Sequence, residues 1–361
     1  MSKKSYRAQS GVAFLLFITV MVLTGTLLVV GKLSLNQEQN ERQTSNYKHL
    51  QTAQDALLGY ALSQATPGVL PCPDVNGDGD GDNVSGGCSQ LKGWLPFRTL
   101  GLDDLRDTTG AKLWYVIDPD YTVGAVPFNS SSVSRLSQNG QSLAFAVLAA
   151  NAALTNQVRT TTFSDASNYL EGVNSDTDPF TVAYRRDSEH NDQLLAYSRA
   201  EFWALIENSV VIPAASAALN QYFTDCGAYP WAANFSETPL NSVVGSQQGS
   251  LPSASSLASD GSGCASVLSL PTWLEDHWAL SIQYQFCLNT QGQCLSINGD
   301  ETSFATAALV APGATLAGQD RTSITLDNFF ENENSSTSTM IEIRNPSNHS
   351  VSFNDVVAFI P

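Results

Sequence analysis

A chain of 361 residues with 42% apolar side chains is long enough for an N-terminal anchor and roughly two modules of about 150 residues, and its composition excludes wholesale disorder. The net charge of −17 is unevenly spread: residues 1–32 hold Lys3, Lys4, Arg7 and Lys32 and no acid, so residues 33–361 carry −21. A body of that sign repels nucleic acid and anionic lipid head groups, and nucleic acid is excluded as a partner.

Residues Gly11 to Gly31 read GVAFLLFITVMVLTGTLLVVG without a charge. About 20 such residues at 1.5 Å each span roughly 30 Å of hydrocarbon, so the stretch predicts a transmembrane helix over 12–31. Lys3, Lys4 and Arg7 before it and acids after it place the N-terminus in the cytoplasm and the body outside. The run is too long for a conventional signal peptide and no small-x-small site follows it. From Leu33 the chain continues in good helix formers, with Leu50, Ala53, Leu57 and Ala61 at helical spacing. One long helix is expected, a transmembrane half followed by an amphipathic half.

A short basic leader ending in Gly11, an uninterrupted apolar stretch and an amphipathic continuation resemble the N-termini of type IV pilins and pseudopilins. The resemblance implies a leader at 1–11, cleavage after Gly11 by a prepilin peptidase and methylation of the new N-terminus at Val12. Two positions depart from the family pattern, Val12 in place of Phe or Met and Leu16 in place of the Glu at the fifth mature position. In the family that carboxylate neutralises a neighbouring subunit's amine within lipid, where an unpaired charge is costly. A subunit lacking it is expected to cap or initiate an assembly more readily than extend it.

Further along, LLGYALSQ, LPCPD, an acidic Gly-rich loop, Cys88, GWLP, YLEG-x-N and HND-x-LLAY follow one another as in a group of bacterial prepilin-like proteins. The second half repeats the plan. Leu154, Gln157 and Arg159 answer Leu316, Gln319 and Arg321, Tyr169, Glu171 and Asn174 answer Phe329, Glu331 and Asn334, and Asn191-Asp192 answers Asn354-Asp355, at offsets of 160–163 residues. The expected fold class is α+β: the long helix with two pilin-like modules, 32–198 and 199–361, each a helix packed on a small antiparallel sheet. Strands are expected at 112–117, 142–149, 181–184, 193–197, 279–287, 306–310, 340–344 and 356–360.

Asp74, Asn76, Asp78, Asp80 and Asp82 alternate with Val75 and glycines, and D-x-N-x-D-G matches the opening of a calcium loop. The twelfth position is Ser85 where an EF-hand has Glu, so the expectation is a simpler calcium-binding turn. Six cysteines allow 15 connectivities. Their spacing favours neighbour pairs, Cys72 with Cys88, Cys226 with Cys264 and Cys287 with Cys294, in an oxidising compartment; the Cys-x2-Cys spacing of a zinc site is absent. Each module is expected to hold an Arg–Glu pair, Arg159 with Glu171 and Arg321 with Glu331, and the Asn-Asp dipeptides are expected to form Asx-turns. Trp231 is a candidate exposed contact for glycans or partners.

The sequence carries no nucleophile elbow, Walker loop, paired-His metal helix or Cys/His dyad, and no enzyme is expected. The reading is a minor pilin or pseudopilin-like subunit of a type IV pilus or type II secretion filament, in the bacterial inner membrane with a periplasmic body. Its partners would be other such subunits and prepilin peptidase, and calcium is the one candidate cofactor. The alternative is a permanently anchored, adhesin-like binding protein.

Overall fold

A computed structural model describes residues 10–84, 86–122, 128–155, 157–159, 165–176, 178–187, 189–235, 240–253, 257–261, 263–288, 294–298, 300–336, 340–343 and 353–360. It is a mixed α+β protein with small, mainly antiparallel sheets. Helix α1 runs without a break over Ser10–Ser63. Its residues 16–24 are exposed although they read LFITVMVLT, with Phe17, Met21 and Leu23 each more than 60% accessible. Further along the same helix Asn46, Leu50, Ala53, Leu57 and Ala61 are wholly buried, one stripe at helical spacing facing a sheet.

That sheet consists of β1 (Lys92–Trp94), β2 (Trp114–Ile117), β3 (Gln141–Ala149) and β4 (Gln193–Ser198), paired antiparallel in that order. The chain then enters α2 (Arg199–Ile206) through a capping box in which Ser198 and Glu201 satisfy each other's backbone N–H. A π-helical turn, Glu207–Val211, leads into α3 (Ile212–Cys226), which ends on Gly227 in the left-handed conformation at φ 68°. The second sheet is β5 (Gln248–Ser250), β6 (Gln283–Phe286), β7 (Ala307–Ala311) and β8 (Val356–Ile360), again antiparallel in that order.

The two sheets share their register. Trp114 faces Leu148 and Ile117 faces Phe145 in the first; Gln283 faces Val310 and Phe286 faces Ala307 in the second. Val147 opposite Leu195 has its counterpart in Leu309 opposite Ala358, and Trp94 opposite Trp114 in Ser250 opposite Gln283. One apolar core runs through both halves, from Leu50 and Leu57 to Leu309 and Ile360. At the junction Trp203 stacks on Tyr121 at 5.3 Å and meets Phe128 and Trp278 edge-on.

Among the described residues one helix, Arg199–Cys226, is long and apolar enough to cross a membrane by length and composition. Its Phe202, Trp203, Ile206, Val211, Ala215 and Leu219 are nevertheless core residues, so its apolarity is used inside the body.

Several expected strands are shortened or replaced. Of 181–184 only Thr181 bridges, in parallel, to Ser137. The reason is local: the Asn174 amide donates to Ala183 O and accepts from Ala183 N, both at 2.9 Å, taking the groups a ladder would use. Asn334 grips Glu342 in the same way, and the strand expected at 340–344 is Met340–Ile341, paired in parallel with Leu295–Ile297; residue 344 lies outside the described residues. Three disulfides join neighbouring cysteines, Cys72–Cys88, Cys226–Cys264 and Cys287–Cys294.

Truncating Leu57 to Ala removes a fully buried side chain between α1 and the first sheet. The expected cost is about 2–5 kcal/mol, against under about 0.5 kcal/mol for exposed Lys48→Ala. Urea unfolding of the full chain in detergent measures both, and equal costs would contradict this packing.

Candidate functional site: a buried carboxyl network that occurs twice

After β3 the chain turns at Asn151, held in the left-handed conformation at φ 54°; its counterpart after β7 is Gly313 at φ 61°. The two residue types that best tolerate this region occupy equivalent places. The same exchange recurs at Gly172, φ 53°, and Asn332, φ 51°, each opening a 3₁₀ turn. Backbone geometry is thus kept where the side chain is not.

Around these turns lies a polar network. Gln157 accepts from Leu154 N and donates to Glu171 Oε1 at 2.9 Å, while Glu171 Oε2 accepts from the backbone of Asn191 and Asp192. Asp192 Oδ2 in turn accepts from Glu171 N and from the Asn174 amide, at 3.0 and 3.1 Å. In the second half Gln319 accepts from Leu316 N and donates to Glu331 Oε1 at 2.6 Å, Glu331 Oε2 accepts from Asn354 N, and Asp355 Oδ2 accepts from Glu331 N and the Asn334 amide. Arg159 lies over the Tyr169 ring at 5.4 Å and Arg321 over Phe329 at 4.8 Å.

Two expectations are corrected here. The arginines do not meet the glutamates directly: Gln157 and Gln319 stand between, each accepting from the arginine and donating to the glutamate. Asn191-Asp192 and Asn354-Asp355 do not form Asx-turns, because their side chains reach across the fold to Ala152, Glu171 and Asn174, and to Ala314, Glu331 and Asn334.

Asp192 Oδ1 and Asp355 Oδ1 are buried and accept no hydrogen bond. Each glutamate accepts N–H bonds on both oxygens, and burial favours the protonated form of the aspartate beside it. Burial, followed by the neighbouring Glu171 charge, pushes Asp192 up to about 8; burial and Glu331 push Asp355 well above the carboxylate range. The oxygen that accepts no hydrogen bond recurs in both halves. Asp192 is 3% and Asp355 1% exposed, and a cavity of about 160 Å³ lined by Glu171, Asn174, Arg185, His190 and Asp192 adjoins the first pair.

The expected calcium turn folds on itself. Asp74 accepts from Gly77 N and Gly79 N, Asp82 from Val75 N and the Asn76 amide, and Asp78 from Asp80 N. Lys112 donates to Gly77 O at 2.7 Å and lies 3.8 Å from Asp74, stacked on Trp94. Among the described residues no group of three or more His, Cys, Asp or Glu side chains is placed to hold a metal. Gly11 and Val12 fall in the first turn of α1; the Val12 side chain and the leader residues 1–9 lie outside the described residues. Trp231 is 8% exposed and packs on Phe286, which removes it as an exposed contact.

Sequence reasoning missed Glu207. It lies 161 residues after Asn46, and both are wholly buried polar residues on the helix that packs the sheet. Asn46 donates to the Asn151 side chain and accepts from Thr108 N, while Glu207 accepts from Gly313 N. Beyond this point the helix offset is 162, as in Ala53 to Ala215 and Leu57 to Leu219. The π-helical turn starting at Glu207 absorbs the added residue. Burial pushes Glu207 up to about 8 against the opposing pull of Arg321 and hydrogen bonding. Lys92 has a comparable counterpart: it donates to Asn174 O and Asp176 O, and Gln248 donates to Ser336 O, so the tie needs no charge.

No protein family, curated protein or solved structure matches the chain.

A carboxyl whose folded pKa is raised binds a proton in the native state that the unfolded state releases. The contribution of Asp192 is therefore most favourable below about 4, falls as pH rises and levels off above about 8. Across that window Asp192→Asn is expected to flatten the pH dependence of unfolding free energy by up to about 1.4 kcal/mol per pH unit. Chemical unfolding at pH 5, 6 and 7 tests this, with Asp355→Asn as a second variant; parallel profiles for both variants and wild type would contradict the raised aspartates.

Proposed function

We propose that the protein is a membrane-anchored, non-enzymatic assembly subunit of the type IV pilin and pseudopilin kind, with its body on the outer side of the bacterial inner membrane. The observation that carries the reading is α1: one uninterrupted helix, apolar and exposed over residues 16–24 and packed on a sheet over Asn46–Ala61. A run of consecutive exposed apolar residues is stable only where lipid or other apolar helices cover it. The buried networks support a structural role, because their glutamates bond to glutamine side chains and to the backbone of Asn191, Asp192 and Asn354.

Leu16 in place of the family's glutamate supports a place at the tip of an assembly, where no further subunit's amine needs neutralising within lipid. Three disulfides fit an oxidising compartment. Calcium at the Asp74–Asp82 turn is not required by this reading. The alternative, a permanently anchored binding protein, keeps the same topology and differs in processing.

The N-terminal mass of the protein from membranes of cells with and without prepilin peptidase separates the two. A peptide beginning at methylated Val12 only when the peptidase is present is the expected result. An unprocessed N-terminus in both strains would overturn assembly by this route and leave the anchored binding protein.

A further inference from the structure

A cleft of about 500 Å³, a size that takes a small organic molecule, opens on the first sheet. It lies on the face that carries Trp114 and Val116, opposite the face that Tyr115 and Ile117 turn towards α1. Leu91, Trp114, Ala166 and Pro179 give it apolar walls, while Lys92, Asp165 and Asp176 give it charge of both signs. Lys92 and Trp114 are buried whereas Asp165 and Asp176 are exposed, so a cationic floor lies beneath an anionic rim.

These charges do not satisfy one another. Lys92 is 8% exposed, and its ammonium donates to Asn174 O and Asp176 O, which uses two of its three N–H groups. Among the described residues no carboxylate forms an ion pair with it. Asp176 is held through its backbone, and its carboxylate has no hydrogen-bond partner among the described residues. Asp165 spends Oδ1 on Ser167 N, capping a 3₁₀ turn. Burial lowers the Lys92 amine, and Asp176, Asp178, Asp165 and Asp192 pull it back up, so the field at the floor is set by carboxylates that do not touch it. Arg135 lies over the Phe180 ring at 4.8 Å and does not line the cleft.

The internal repeat separates what the fold needs from what the cleft adds. Lys92 answers Gln248, Trp114 answers Gln283, Asp165 answers Thr325 and Asp176 answers Ser336. Gln248 donates to Ser336 O as Lys92 does to Asp176 O, so the tie is structural and the charge is not. All three charges are particular to the first half. A buried N–H in want of an acceptor, below carboxylates in want of a donor, complements a molecule that carries the opposite pair.

We propose that this cleft binds an α-amino acid group, its ammonium held by Asp165 and Asp176 at the rim, its carboxyl or carbonyl oxygen held by Lys92 at the floor and its side chain against Leu91, Ala166 and Pro179. A free amino acid and the N-terminal residue of a peptide both present that group. The site belongs to the body and does not depend on how α1 is processed.

Full-length protein in neutral detergent is titrated calorimetrically with leucine and with Leu-Gly-Gly. Isoamylamine, which has the ammonium without the acceptor, and N-acetylleucine, which has the acceptor without the ammonium, are titrated beside them. The variants are Lys92→Gln and Asp176→Ser, which install the second half's residues, with exposed Asp103→Asn as a control for net charge. Binding of leucine that is weakened roughly tenfold by either cleft variant, unchanged by Asp103→Asn and absent for isoamylamine and N-acetylleucine supports the site with a free amino acid as its source. The same pattern with Leu-Gly-Gly as the tighter ligand supports it with a peptide source. Binding of neither, isoamylamine binding as well as leucine, or equal losses in all three variants overturns the proposal. Asp176→Ser, at an exposed side chain, decides the matter if Lys92→Gln does not fold.

Discussion

Helix α1 is one continuous rod whose two parts meet different surroundings. The rise of a helix is fixed at 1.5 Å per residue, so the distance of the body from residues 16–24 is set by the residues between, without a hinge. No Gly or Pro interrupts Lys32 to Leu58, and the sheet that buries Leu50, Ala53, Leu57 and Ala61 locks the rotation of the helix as well as its height. The end of the first half that carries Asn46, Thr108 and Asn151 therefore lies nearest the apolar stretch, and Trp203 of the second half stacks on Tyr121 of the first.

The second half shows which parts of this plan are structural. The Gln–Glu–Asp–Asn clasp, the cation over an aromatic ring, the left-handed turns and the sheet register recur in both, so they are requirements of the fold. What differs marks specialisation. Asn46 becomes Glu207 with an inserted residue, Lys92 becomes Gln248 and Arg42 becomes Trp203. Of these pairs Arg42 and Trp203 differ in setting, the first exposed and the second wholly buried. A buried clasp of this kind is also the natural place for a proton, since two carboxyls sharing low-dielectric surroundings do not both ionise.

Much of this was legible in the sequence because it is periodic or chemically distinctive. The helical stripe of α1 carries its own period, and the apolar runs of β3, β4 and β8 are short and bounded by polar or turn residues. The recurrence of Gln, Arg, Glu and Asn at nearly constant offset marked residues that prove to be hydrogen-bonded together. Illegible were features decided by tertiary partners. The strands Lys92–Trp94 and Gln248–Ser250 are three residues long and contain glycine. Residues 181–184 have strand composition, but Asn174 takes the backbone groups of Ala183. Gln157 between Arg159 and Glu171 could not be inferred either, since opposite charges at that spacing read as a direct pair.

The central claim is that lipid or other apolar helices cover residues 16–24 of α1 while the same helix emerges into water to carry the body. A spin label at Val20→Cys, compared with one at Lys48→Cys, tests this directly in full-length protein reconstituted into liposomes. Both positions are exposed on α1 and lie well apart along it. The account predicts that the label at 20 collides with dissolved oxygen and is shielded from a water-soluble nickel chelate, with the reverse at 48. Equal access of the chelate to both positions would contradict it.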